Sequence, residues 1–95
     1  MYEGLLPIGS VVLLTQSRKR VMIVGVCQRA AKDPDKIWDY VGVVFPEGFL
    51  ASDKMLMFNR EQIVRVFALG YQDEEQMTFQ AKANTAIQNL RKEKK

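Results

Sequence analysis

The chain has 95 residues, 47% of them apolar and 26% charged, which is enough for one domain with a real core and too apolar for a disordered chain. It has no histidine and a single cysteine, Cys27, which excludes Ser-His-Asp and Cys-His triads, an internal disulfide and any zinc site built from soft ligands. The net charge of +3 is confined to the last five residues, where Arg91, Lys92, Lys94 and Lys95 outweigh Glu93; the rest of the chain balances ten basic against ten acidic side chains.

A nucleic-acid binder spreads its positive charge over a folded face, and this chain does not. No apolar run approaches the roughly 18–20 residues of a membrane span. The first residues lack the basic flank and apolar core of a signal peptide, so the expected compartment is the cytoplasm.

Residues 1–4 read as a frayed end, and Leu5-Leu6 before Pro7 as an extended approach. Gly9-Ser10 turns the chain into a short apolar strand, 11–14. Residues 15–20 form a charged hairpin loop ending in Arg18-Lys19-Arg20, and 21–27 the second strand, with Gly25 marking a bulge or bend. Residues 28–36 read as a loop with Asp33-Pro34-Asp35 as its turn.

The third strand, 37–45, is the one the rest is built to cover. It is apolar on both faces, with Val41, Val43 and Phe45 on one and Tyr40, Gly42 and Val44 on the other, so it belongs inside a sheet. Pro46 and Gly48 form the corner that closes it. Met55-Leu56-Met57-Phe58 reads as a short strand or a packed loop.

Asn59 with Gln62 three residues on is a capping-box pattern, giving a helical turn over 59–63. A further strand follows over 64–69 and ends at Gly70. From Asp73 to about Lys92 the chain is an amphipathic helix, acidic at its start and basic at its end. Its thin stripe of Phe79, Ala83, Ala86, Ile87 and Leu90 suits docking on the sheet or pairing with another helix, a route to a homo-oligomer.

These elements predict an α+β fold in a single domain, 1–95. A small antiparallel curled sheet or half-open SH3-like barrel of four to five strands fills 1–71, and a C-terminal amphipathic helix with a basic tail fills 72–95.

Few residues suggest chemistry. Cys27 has the setting of a packed thiol. Asp33, Asp35 and Asp39 lack the glycine and distal glutamate of a calcium loop and read as a solvated turn. Arg18-Lys19-Arg20 lacks the interleaved aromatics that would stack bases, so nucleic-acid binding by this tip stands only as the alternative function. No catalytic, metal or cofactor residues are expected. Trp38, Phe49, Met55 and Met57, with Phe79, Ala83 and Leu90 on the helix, are the candidate partner-binding residues, because methionines and aromatics are over-used where proteins meet. For the first four the core is the favoured place, because a chain this small needs its large side chains inside.

The ordered phrases Leu6-Pro7-Ile8-Gly9-Ser10-Val11-Val12-Leu13-Leu14, Val21-Met22-Ile23-Val24-Gly25, Asp39-Tyr40-Val41-Gly42, Phe45-Pro46-Glu47-Gly48, Phe58-Asn59 and Gly70-Tyr71 before acidic residues resemble a family of small domains of unknown function from Gram-positive bacteria. Members are typically encoded near type VII (WXG/ESX) secretion components and LXG-type toxins. The likeness covers about 5–79, with Phe45 standing where the family usually has tyrosine. The resemblance implies no catalytic residues. It implies a cytosolic accessory, adaptor or chaperone-like protein that engages a secretion substrate or component; an immunity role lies in the same class.

Overall fold

A computed structural model describes residues 5–30 and 33–93. Five strands, β1 (Val11–Leu14), β2 (Arg20–Ala30), β3 (Asp33–Val44), β4 (Leu56–Phe58) and β5 (Ile63–Ala68), are followed by one long helix, α1 (Glu74–Glu93). The strands form one antiparallel sheet in the order β4-β3-β2-β1-β5. The sheet is open, with β4 and β5 as its edges, so the fold is α+β. β3 lies inside the sheet between β2 and β4, as its two apolar faces require.

β2 and β3 form a longer hairpin than the sequence suggests. The expected loop over 28–36 is mostly strand: Gln28 pairs with Trp38, Arg29 with Ile37 and Ala30 with Asp33. The polar composition there reflects an exposed hairpin end, not an absence of ladder bonds, and Arg29, Asp35 and Lys36 are exposed. Pro34 is accommodated because β4 covers β3 only over Tyr40–Gly42, so that among the described residues no strand flanks it on that side. The bulge expected at Gly25 is present, where the register shifts between Ile23 and Gly25. The Pro46–Gly48 corner forms with Gly48 at φ +82°, its N–H donating to the Val44 carbonyl at 2.8 Å. The expected frayed end, 1–4, and the end of the basic tail, Lys94-Lys95, lie outside the described residues.

Val12, Val21, Ile23, Ile37, Tyr40, Phe58 and Ile63 form the sheet's share of the core, with the Tyr40 and Phe58 rings 5.3 Å apart. α1 closes it with Ala83 and Ile87, both buried, and with Leu90 packed against them. The helix therefore docks on its own sheet. Asp73 caps it, its Oδ1 accepting from the Gln76 N–H at 2.8 Å, and Glu74 and Glu75 follow at the end that favours negative charge.

The reading of Asp39 as part of a solvated turn is corrected: it is fully buried. Its Oδ2 accepts from the Arg60 backbone N–H at 2.9 Å and from Arg60 Nε at 3.1 Å, and Oδ1 lies 3.2 Å from an Arg91 guanidinium nitrogen. The same nitrogen of Arg91 donates to the Ile37 carbonyl and to Asn59 Oδ1, which also accepts from the Asp39 N–H; Arg60 reaches Asn84 Oδ1. The capping pattern at Asn59 places Arg60 for this, because it holds the short 3-10 turn Arg60–Gln62, with Gln62 Oε1 accepting from the Asn59 N–H. One carboxylate thus joins β3, the turn before β5, and α1.

Tyr40 ties the N-terminal segment down in a comparable way. Its hydroxyl oxygen accepts from the Leu6 N–H at 2.8 Å. Burial pushes the phenol above its ordinary value near 10, opposed by the Leu6 hydrogen bond and the Arg60 charge. The folded state therefore holds this proton more tightly than the unfolded chain. The stability it confers is complete below about pH 10 and falls as pH rises through the raised value. Tyr40→Phe is expected to cost about 1–3 kcal/mol at neutral pH, because the Leu6 N–H loses its acceptor, and to shrink the alkaline loss. Urea unfolding at pH 7 and near pH 11 measures both.

Candidate protein-interaction surface

Ser10 builds the most distinctive surface feature. It is fully buried, its hydroxyl donating to the Pro7 carbonyl at 2.7 Å and accepting from the Gly70 N–H at 3.0 Å. Gly9 donates to the Ile23 carbonyl and the Ser10 carbonyl accepts from the Ile23 N–H, so this segment runs beside β2. Gly9 has φ +97°, and a Cβ on it would lie 3.4 Å from the Gly70 Cα. The two glycines let the chain leaving β5 cross the N-terminal segment at backbone contact.

That crossing sets Tyr71 beside Leu6, Pro7 and Ile8. Together with Val26 of β2 and with Gln76, Phe79 and Gln80 of α1 they line a groove of about 230 Å³. Ile8, Tyr71 and Phe79 stand at its mouth, 49%, 79% and 54% exposed. Its walls are almost wholly apolar. Gln76 donates through Nε2 to Gln80 Oε1 at 2.6 Å, while its own buried Oε1 meets no hydrogen-bond partner among the described residues. A buried acceptor beside an apolar groove suits an occupant with an apolar body and one N–H or O–H.

The seven candidate residues do not converge. Phe79 lines the groove. Ala83, on the same helix, is buried in the chain's own core, and Leu90 is half-buried and packs against it. Trp38, on β3, is half-buried with the Lys36 ammonium 4.0 Å from its ring centroid. Phe49 is 65% exposed in the connection after the Pro46–Gly48 corner, and Met55 and Met57 are half-buried at β4. Sequence reasoning missed Leu6, Pro7, Ile8, Val26, Tyr71, Gln76 and Gln80. The one local signal for them was a large apolar residue beside a glycine, at Ile8-Gly9 and Gly70-Tyr71.

At the basic tip Lys19 Nζ pairs with Glu47 at 2.7 Å, and that hydrogen bond holds the exposed Glu47 carboxyl below its ordinary range. The Arg20 guanidinium lies 5.2 Å from the Phe45 ring centroid. Cys27 packs against the core from β2 at φ 55°. Among the described residues no three Cys, Asp or Glu side chains gather as a metal site would need, and no helix is long and apolar enough to cross a membrane.

Fold and groove together define a small α+β module with an open five-stranded sheet and an apolar groove where its helix begins. The chain belongs to the family described as "Domain of unknown function (DUF4176)", whose model matches residues 5–79, ending at the phenylalanine of the groove's mouth. No curated protein and no solved structure matches it.

Proposed function

We propose that the protein is a non-enzymatic, cytosolic protein-binding module, an accessory, adaptor or chaperone-like factor that engages a substrate or component of type VII secretion. The observation that supports the reading is the groove: a concave apolar surface with a single buried acceptor fits one aromatic anchor of a protein partner better than it fits a polar metabolite. The resemblance of the phrases between Leu6 and Tyr71 to proteins encoded beside type VII secretion genes supplies the class of partner. Two of the three cations of the basic tip already have partners within the chain, which disfavours the nucleic-acid alternative.

The test is calorimetric titration of the purified protein with the secretion substrate encoded beside it. A complex is expected, and Phe79→Glu at the groove's mouth is expected to weaken it by about tenfold or more, as loss of a central apolar contact does. Phe79 is more than half exposed, so the variant is expected to unfold at the wild-type temperature. No complex, or equal binding by wild type and variant, would remove the proposal's support.

A further inference from the structure

Two exposed apolar features lie off opposite ends of β1. One is the groove, whose Pro7 and Ile8 precede the strand. The other follows the Pro46–Gly48 corner, where Phe49 and Leu50 are adjacent, outside any helix or strand, and 65% and 58% exposed. The Lys19–Glu47 pair holds that corner against the turn between β1 and β2, and the Phe45 N–H donates to the Arg20 carbonyl at 2.9 Å. Arg20 and the groove's Val26 both belong to β2, roughly 20 Å apart along the strand, so the two features do not meet within one chain.

Their surroundings carry opposite charge. Around Phe49 and Leu50, Lys19 is paired with Glu47, and Arg18, Arg20 and Lys54 outnumber Asp53. At the groove the start of α1 supplies Asp73, Glu74 and Glu75, all exposed. Glu74 and Glu75 share a shallow recess with Phe79, in which Lys82 is the cation.

We infer, resting on the reading of the groove as a protein-docking site, that Phe49 and Leu50 of one copy dock in the groove of a second copy. Charge complementarity selects this occupant: the basic surroundings of the apolar pair come to lie over the acidic start of α1. Size agrees with it. A groove of about 230 Å³ is smaller than the about 300–1,000 Å³ of a pocket for a drug-sized ligand and suits one aromatic side chain, with Tyr71 and Phe79 to pack on its ring. The two surfaces differ, so the contact is heterologous and joins copies head to tail. Self-association then competes with the protein partner for the same groove.

Sedimentation equilibrium of the full chain tests this. The average mass of the wild type is expected to rise with concentration and to fall back towards the monomer at high salt. Phe49→Glu disables the docking pair and Phe79→Glu the groove. Both positions are more than half exposed, so each variant is expected to be monomeric with the wild-type circular dichroism melt. The deciding sample is their equimolar mixture. Each variant keeps the surface that the other has lost, so the mixture is expected to form a one-to-one dimer and nothing larger. A wild type that stays monomeric up to about 1 mM overturns the inference. So does a variant that associates as the wild type does, a mixture that stays monomeric, or an association that high salt leaves unchanged. A monomeric wild type that still binds the secretion substrate through Phe79 overturns the self-contact alone and leaves the groove's role as a docking site standing.

Discussion

Asp39→Ala is expected to cost about 3–5 kcal/mol, the cost of removing one partner from a buried ion pair. A domain of this length has about 5–14 kcal/mol in total, so the variant gives up a large share of its stability. At about 4–8 °C per kcal/mol its thermal midpoint falls by at least about 12 °C. The cause is the set of groups left behind. The Arg60 guanidinium, on a side chain only 15% exposed, loses its carboxylate and keeps only the neutral Asn84 oxygen among the acceptors named above, and the Arg60 backbone N–H loses its acceptor. Arg91 is 40% exposed and keeps the Ile37 and Asn59 oxygens, so its own truncation is expected to cost less than loss of Asp39. The double variant Asp39→Ala/Arg60→Ala is expected to be more stable than the sum of the single losses predicts, because it removes the buried cation together with the anion it faces. A midpoint change of only a few degrees for Asp39→Ala would mean that water solvates this pair after all.

That network also shows which parts of the fold were legible in the residues and which were not. The Asn59–Gln62 cap, the Pro46–Gly48 corner, the bulge at Gly25 and the charge-graded helix were readable because each signal and its consequence lie within a few residues. Asp39 was misread because its burial is decided by residues that are distant in sequence: Arg60 is 21 positions away, and Arg91 arrives with the helix. A carboxylate beside Asp33 and Asp35 looks solvated until those cations are placed next to it. The β2–β3 hairpin was drawn too short for the opposite reason. Arg29, Asp35 and Lys36 near its end are exposed, so composition there reports contact with water and carries no information about pairing.

The groove divides in the same way. Phe79 was legible as one member of a helical stripe, but that stripe splits in three dimensions. Ala83, Ile87 and Leu90 face the sheet, and Phe79, nearer the helix start, overhangs the groove. Periodicity identifies a face and does not say where along it the covering sheet ends. Leu6, Pro7 and Ile8 meet Tyr71 at a crossing pinned by the Ser10–Gly70 hydrogen bond, which spans 60 positions.

Gly70→Ala is therefore expected to damage fold and groove together. A Cβ at this position would fall inside the van der Waals envelope of the Ile8 carbonyl oxygen and lie 2.8 Å from the Ile8 carbonyl carbon. Both are backbone atoms, which cannot swing aside as a side-chain tip would, so one strand of the crossing has to lift. That opens the Gly70 N–H bond to Ser10 and leaves the fully buried Ser10 hydroxyl oxygen short of a donor. An overpacked crossing of this kind costs about 1–3 kcal/mol, and the weakened hydrogen bond adds to it. Ser10→Ala separates the two effects: it removes the hydroxyl with no clash, so it is expected to destabilise less while still loosening Tyr71. Chemical denaturation gives the stability of each variant, and the calorimetric titration gives partner affinity under conditions where both remain folded. If groove geometry carries the binding, Gly70→Ala loses affinity out of proportion to the small fraction unfolded, and Ser10→Ala follows in the same direction. If Gly70→Ala binds as wild type while destabilised, the crossing serves the fold alone and Tyr71 takes no part in the interaction.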